Sequence, residues 1–356
     1  MKIESAESWR ETIPLKRPYS ISDRTVTGVE ILFLRLRADD GSVGLGSASP
    51  SPSVTGETRE ACAQALDREN LGLLEGEDIR HLGDLLRRVT GAMHRTPAAR
   101  AALDMALHDL FARHLDVSLL DFLGGRRKPR LTSVTLGIQG VDETLEEADH
   151  YLRQGFRCLK VKIGRDPEED LERLERLREN WPWVRLRVDA NRGYDTSATS
   201  TLGDAVSRLG LELVEQPMPV AELEATRHLP ATLRRHLAAD ESLVNEEDAL
   251  PLLERPRPYG IFNIKLMKCG GLFPGLRIAA LAETAGIELM WGCMDESRIS
   301  ITAALHAAAA SPATRYLDLD GSFELAQDPA QGGFTIEEGC LVPLDDPGLG
   351  VTLGDS

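Results

Sequence analysis

Five short runs decide how this chain folds: Cys158-Leu-Lys-Val-Lys-Ile-Gly164, Arg185-Leu-Arg-Val-Asp-Ala-Asn191, Leu211-Glu-Leu-Val-Glu-Gln-Pro217, Leu237-Ala-Ala-Asp-Glu-Ser242 and Asn263-Ile-Lys-Leu-Met267. Each is a β-branched or apolar stretch of strand length, separated from the next by an amphipathic helical stretch. Working outward, Thr132-Ser-Val-Thr-Leu-Gly137 precedes them, and Glu288-Leu-Met-Trp-Gly-Cys-Met294 and Arg315-Tyr-Leu-Asp-Leu-Asp320 follow. Strands alternating with helices make βαβ units and a parallel sheet, and eight such units predict a closed α/β barrel.

The polar residues inside these runs carry the information about function. A strand buried on both faces should be nearly all apolar, yet Lys160, Lys162, Asp189, Glu215, Asp240 and Lys265 interrupt them. From 162 to 189 is 27 residues, from 189 to 215 is 26, and the next two steps, to 240 and 265, are 25 each. One βα unit of a barrel has about that length, so each charge falls near the C-terminal end of its strand, where barrels build their sites. Asp189, Glu215 and Asp240 then converge on one side of the mouth. Packed like charges call for a hard cation, and an all-oxygen donor set selects Mg²⁺ or Mn²⁺ over Zn²⁺. The alternation in Lys160-Val-Lys162 turns both lysines to one face. Lys162 and Lys265 flank the metal from opposite sides, and a lysine crowded by a cation should have a lowered pKa and serve as a base. Two opposed bases imply a proton taken from one face of a carbon and returned to the other, a racemisation or epimerisation beside a carboxylate.

These residues resemble the enolase superfamily, muconate-lactonising subgroup, through the motifs Lys160-x-Lys162, Asp189-Ala-Asn191, Glu215-Gln-Pro217, Asp240-Glu-Ser242 and Asn263-Ile-Lys-Leu-Met-Lys-Cys-Gly-Gly271. Five motifs in order cover nearly the whole chain. The resemblance implies a modified (β/α)7β TIM barrel with an α+β capping domain built from the N-terminal region and the C-terminal tail: cap 1–125, barrel 126–322, tail 323–356. It implies Mg²⁺ on Asp189, Glu215 and Asp240, an enediolate intermediate, Lys162 and Lys265 as the acid/base pair, and Lys160 beside the substrate carboxylate.

Asp318-Leu-Asp320 resembles the Asp-x-Asp signature of dipeptide epimerases, which receives a free α-ammonium, and Thr135 matches a substrate-contacting position of that group. Arg24 resembles the capping-loop arginine of alanyl-glutamate epimerases. Asp295, after the seventh strand, stands where those relatives are usually apolar; a carboxylate there would repel a glutamate side chain and attract Lys or Arg. Its other reading is a salt bridge to Arg298 or Arg24. Loops 14–24 and 47–57 fit a mobile lid over the substrate. The expectation is a Mg²⁺-dependent dipeptide epimerase acting on the C-terminal residue, with cationic dipeptides preferred. Alternatives are an L-Ala-D/L-Glu epimerase, a cycloisomerase or N-succinylamino acid racemase, and a catalytically inactive binding barrel. The mandelate-racemase branch needs a His-Asp dyad, and no His lies between His236 and His306.

The 356 residues carry a formal charge of −16, with 42% hydrophobic and 28% charged residues. That acidity argues against nucleic acid or an anionic membrane as partner. Met1-Lys2-Ile3-Glu4 begins no signal peptide, and the five scattered cysteines form no CxxC pair, so a cytoplasmic chain with free thiols is expected. A homo-oligomer is expected as well. In the first 125 residues, strands are predicted at 2–10, 26–37 and 43–47, and helices at 57–70, 79–86 and, as one long helix or two, 97–123.

Overall fold

The computed structural model describes residues 1–20 and 25–354. Eight parallel strands form one sheet, each hydrogen-bonded to the next in chain order: Val134–Leu136, Cys158–Lys162, Arg185–Asp189, Leu211–Glu215, Leu237–Ala239, Ile261–Lys265, Glu288–Gly292 and Thr314–Asp318. The ring closes where Thr132 bridges Leu317 and the Ser133 N–H donates to the Leu317 carbonyl at 3.1 Å. Helices follow the first seven strands. After Asp318 the chain passes through turns into the tail strands Ala330–Gly332, Phe334–Glu337, Cys340–Pro343 and Val351–Leu353. This is the (β/α)7β barrel expected.

Local chemistry starts and stops the helices. Asp166 accepts from the Glu168 and Glu169 N–H groups and Pro167 opens helix Pro167–Asn180, which suits an N-cap and N1 proline. Helix Thr196–Leu209 ends at Gly210, whose φ of +61° is the left-handed stop that glycine takes without strain. Inside the ring, Leu213, Ala238, Ile261 and Met290 pack with Tyr316 as an apolar cluster apart from the main core. In chain order these lie two residues before Glu215, Asp240, Asn263, Gly292 and Asp318, and so share the inward face with them. The barrel is thus plugged by apolar side chains beneath a charged mouth.

Strands Ile3–Ser20, Thr25–Ala38 and Val43–Ala48 form an antiparallel sheet over the long helix Pro97–His114. The helix is buried almost all round. A Cβ on Gly46 would stand 1.9 Å from the Ala102 carbonyl oxygen, so glycine there permits the close approach of sheet and helix. On its other side, Asp104 accepts from the Leu272 and Phe273 N–H groups at 2.7 and 3.1 Å, capping helix Leu272–Ala285 of the barrel. The tail reaches back to the first strand: Lys16 N–H donates to Glu324 O at 2.7 Å and Ala326 N–H to Pro14 O at 2.8 Å.

The first strand runs well past the expected end at Arg10, because Glu11 to Pro14 continue the ladder against Gly28 to Ile31. The helix expected over 57–70 is two, Arg59–Ala65 and Arg68–Gly72, with Asp67 capping the second. That expected over 79–86 is a 3-10 turn, Ile79–His81, followed by helix Leu82–Ala92. The long helix stops at His114, and a short one, Leu119–Phe122, restarts under a Ser118 cap. All five cysteines are free, and among the described residues no helix is long and apolar enough to cross a membrane.

Candidate active site

Strand register gathers the charges. Lys162 pairs with Asp189, Asp189 with Glu215, Lys265 with Gly292 and Gly292 with Asp318, all at the C-terminal rim. Asp240 follows the last residue of the fifth strand. Lys162 is on the second strand and Lys265 on the sixth, so they stand across an eight-stranded ring from one another.

The carboxylates are laced together by ammonium groups. Lys160 Nζ lies 2.7 Å from Asp318 Oδ2, 2.7 Å from Glu215 Oε2 and 3.0 Å from Asp189 Oδ2. Lys162 Nζ donates to Asp189 Oδ2 and Asn191 Oδ1, both at 2.7 Å, and is the more solvent-facing of the two. Lys265 Nζ donates to Asp240 Oδ2 at 2.8 Å. Lys268 Nζ donates to the Asp240 carbonyl at 2.6 Å and ion-pairs with its Oδ1. The two lysines expected to act on substrate therefore bracket the row Asp189–Glu215–Asp240 at its two ends.

Burial and charge set the protonation states. Burial pushes Glu215 up to about 7, with Asp189 adding to the push, against Lys160. Burial also opposes ionisation of Asp240, yet Lys265 and Lys268 hold it well below the usual carboxylate range. Burial would lower Lys265, but Asp240 and Glu215 raise it above its ordinary value. The sequence led to the opposite expectation for such a lysine. The difference has a plain cause: the immediate neighbours of Lys265 here are carboxylates, and only when their charge is spent on a cation does the balance turn toward a neutral amine.

Whether these residues suit a divalent metal can be judged from their donors. Among the described residues no three carboxylate, imidazole or thiol groups close around a common point, because ammoniums stand between the carboxylates. The donor set nonetheless fits Mg²⁺: three acidic side chains at adjacent strand ends, all hard oxygen, with Glu215 Oε2 buried and lacking an aligned hydrogen bond.

The substrate-facing candidates fare unequally. Asp318 is buried and committed on both oxygens, Oδ1 to Ser133 Oγ at 2.6 Å and Oδ2 to Lys160. Asp320 Oδ2 accepts from the backbone N–H of Thr135 at 2.8 Å, so Thr135 meets the site through its main chain. Asp295 is half-buried in the loop joining the seventh strand to helix Arg298–Ala310, and its charge helps to raise neighbouring Glu296, which burial pushes up to about 7. Arg298, one of its expected partners, is engaged by the tail: its N–H donates to Asp328 Oδ2 at 2.6 Å and its guanidinium lies 3.9 Å from the Phe334 ring centroid. Arg24 lies outside the described residues. The 47–57 loop leans on the rim, where the Ser49 N–H meets Met267 Sδ at 3.4 Å.

Several members escaped the sequence reading. Gln216, at φ +34°, accepts from the Asp240 and Ser242 N–H groups at 3.0 and 3.1 Å and donates to Tyr259 Oη at 3.0 Å, fixing the turn that presents Asp240. Lys268 comes from the short helix Leu266–Cys269 rather than from a strand, so strand alternation could not find it. Asn263 on the sixth strand donates to Glu215 Oε1 on the fourth at 2.7 Å, a contact between strands that spacing along the chain does not reveal.

The chain resembles known proteins along nearly its whole length. Residues 143–356 match the family described as enolase C-terminal domain-like, and residues 5–124 the N-terminal domain of mandelate racemase/muconate lactonizing enzymes. The chain is 53% identical, over 100% of both sequences, to the L-Lys-D/L-Arg epimerase of Methylococcus capsulatus. It is 33% identical to the L-Ala-D/L-Glu epimerase of Bacillus subtilis, over 99% of this chain and 97% of that one. A crystal structure of the dipeptide epimerase from Methylococcus capsulatus complexed with Mg and L-Arg-D-Lys superposes with a TM-score of 0.97 at 54% identity, covering 99% of each chain.

Proposed function

The chain belongs to the mandelate racemase/muconate lactonizing enzyme family of the enolase superfamily, and we propose that it is a Mg²⁺-dependent dipeptide epimerase that inverts the α-carbon of the C-terminal residue and prefers cationic dipeptides. The observation that carries this reading is the pair Lys162 and Lys265, facing each other across the ring at the two ends of a carboxylate row. The same reading divides the chain into a cap (1–125), a barrel (126–322) and a tail (323–356) that returns to the cap.

Asp189, Glu215 and Asp240 would hold the magnesium ion. When bound, Mg²⁺ supplies positive charge where the substrate carboxylate gains electron density. Lys160, already an ammonium among three carboxylates, adds a second positive charge there. One of Lys162 and Lys265, as the amine, takes the α-proton, and the electron pair spreads into the carboxylate as an enediolate. The other, as the ammonium, delivers a proton to the opposite face. Asp318 and Asp320 receive the substrate's free α-ammonium and so fix which residue of the dipeptide lies between the lysines.

Preference for a cationic side chain rests on Asp295, half-buried in the loop after the seventh strand, and on the Lys/Arg activity named for the 53% identical relative. A desolvated carboxylate discriminates a cationic from an anionic side chain by about 1–3 kcal/mol. A panel of L,L-dipeptides with cationic, acidic and apolar members, scored by kcat/KM for α-carbon inversion, tests this. Lys- or Arg-containing members should exceed Ala-Glu by about 10-fold or more. The reverse ranking would leave the epimerase and remove the cationic preference.

A further inference from the structure

Beside the three candidate metal carboxylates stands an amide whose acceptor oxygen is unspent. Asn263 is fully buried on the inward face of the sixth strand, two residues before Lys265. Its Nδ2 donates to Glu215 Oε1 at 2.7 Å, while its Oδ1 is buried without a partner. The contact fixes which way the amide points, since the opposite orientation would set a carbonyl oxygen against a carboxylate. Room for the amide comes from the seventh strand. A Cβ on Gly292 would lie 2.6 Å from Asn263 Oδ1 and 3.0 Å from its Nδ2. Gly292 does not adopt a positive φ, so backbone conformation does not call for glycine there. The space taken by Asn263 does.

We propose that Asn263 is a positioning residue for the metal: by holding Oε1, it presents Oε2 of Glu215 to the divalent ion, with Gly292 as the vacancy that admits it. Oε2 is the oxygen of Glu215 that has no aligned hydrogen bond of its own. The other two carboxylates have comparable anchors, Asp189 from the Asn191 N–H at 2.9 Å and Asp240 from Lys268. The ammoniums near Glu215, Lys160 at 2.7 Å from Oε2 and Lys265 at 3.9 Å from Oε1, meet it as ion pairs, and Oε2 has no aligned hydrogen bond. The amide therefore supplies the directional contact that orients this ligand. Groups that orient metal ligands in this way typically change metal affinity by about 10–100-fold when removed.

This inference rests on the magnesium reading above, and titration calorimetry with Mg²⁺ alone, without dipeptide, separates the two. Asn263→Leu keeps the volume and removes the donor. Gly292→Ala keeps the asparagine and drives its amide out of place. Both variants, checked for native circular dichroism, should bind Mg²⁺ about 10–100-fold more weakly than the parent protein. The serine variant Asn263→Ser, which retains a donor, should recover part of the loss, as a purely structural role would not. Parent-like Mg²⁺ affinity in whichever of the Leu and Ala variants folds would overturn the role of Asn263. Failure of the parent protein itself to bind Mg²⁺ would overturn the metal reading along with it.

Discussion

Asp318 and Asp320 lie two positions apart and are shifted in opposite directions. Burial works against ionising both, but Lys160 and Ser133 keep Asp318 below the usual carboxylate range. Asp320 is pushed up to about 7 by burial and then by the charge of Asp318. Asp318 thus serves first as the counter-ion of Lys160, and Asp320 has the carboxylate capacity left for an incoming ammonium. Loss of one charge-assisted hydrogen bond costs about 1.5–3 kcal/mol, so Asp320→Asn should lower kcat/KM for a free dipeptide by about 10–150-fold. An N-succinylated amino acid, which has no ammonium, should lose nothing by the same change. Equal losses for both substrates would assign Asp320 to the fold instead. At this scale the sequence was informative where a charge interrupts an apolar run: Lys160, Lys162, Asp189, Glu215, Asp240 and Lys265 all reach the rim. It was silent where a residue acts through a neighbour, as with Asn263 on Glu215 or Gln216 on the Asp240 turn, because spacing along a chain does not say which side chains meet across strands. The lowered lysine pKa was a case in between. Its cause, a cation in the mouth, could be read from the residues, but the carboxylates that hold Lys265 as an ammonium act through three-dimensional proximity.

Helix Arg298–Ala310, which follows the seventh strand, carries an unsatisfied group of another kind. His306 is buried with both ring nitrogens unpartnered. Burial, reinforced by Arg127, depresses it to about 3. The neutral ring is thus native, while the unfolded chain takes up a proton below about 6.5. Stability from this residue is complete above that pH and is lost as the pH falls toward 3, by about 1.4 kcal/mol per unit. His306→Leu, which fills the same space without nitrogens, should flatten the decline of Tm between pH 7 and pH 4.5. Parallel Tm curves for the two proteins would rule this out. Helix and strand order in the barrel was legible because periodicity changes sharply between units. The cap was less so. Its helix breaks at Asp67 and Ser118 depend on short-range caps, Asp67 Oδ1 to the Asn70 N–H and Ser118 Oγ to the Asp121 N–H, which interrupt otherwise continuous helical patterns.

Across the whole molecule, the barrel holds the two lysines proposed as acid and base on opposite sides of the ring, and the N-terminal sheet and the tail are tied to its rim. Asp104 ties the long cap helix to the first turn of a barrel helix, while Pro14 and Lys16 tie the first strand to the tail. The 47–57 loop is thereby held near Met267, one face of the rim. Few of the 57 acidic residues take part in the proposed chemistry, and most are solvated surface. Lys162 and Lys265 belong to strands half a ring apart, so no local rearrangement can bring them to the same face of a substrate. That opposition is the central claim, and proton exchange tests it most directly. An L,L-dipeptide with a cationic side chain, incubated in D₂O with Mg²⁺ and the parent protein, should yield an epimer that carries deuterium at the C-terminal α-carbon. Lys162→Ala and Lys265→Ala should each lose epimerisation by about 10²–10⁴-fold. Inversion without deuterium, or inversion retained in both lysine variants, would contradict the two-base account.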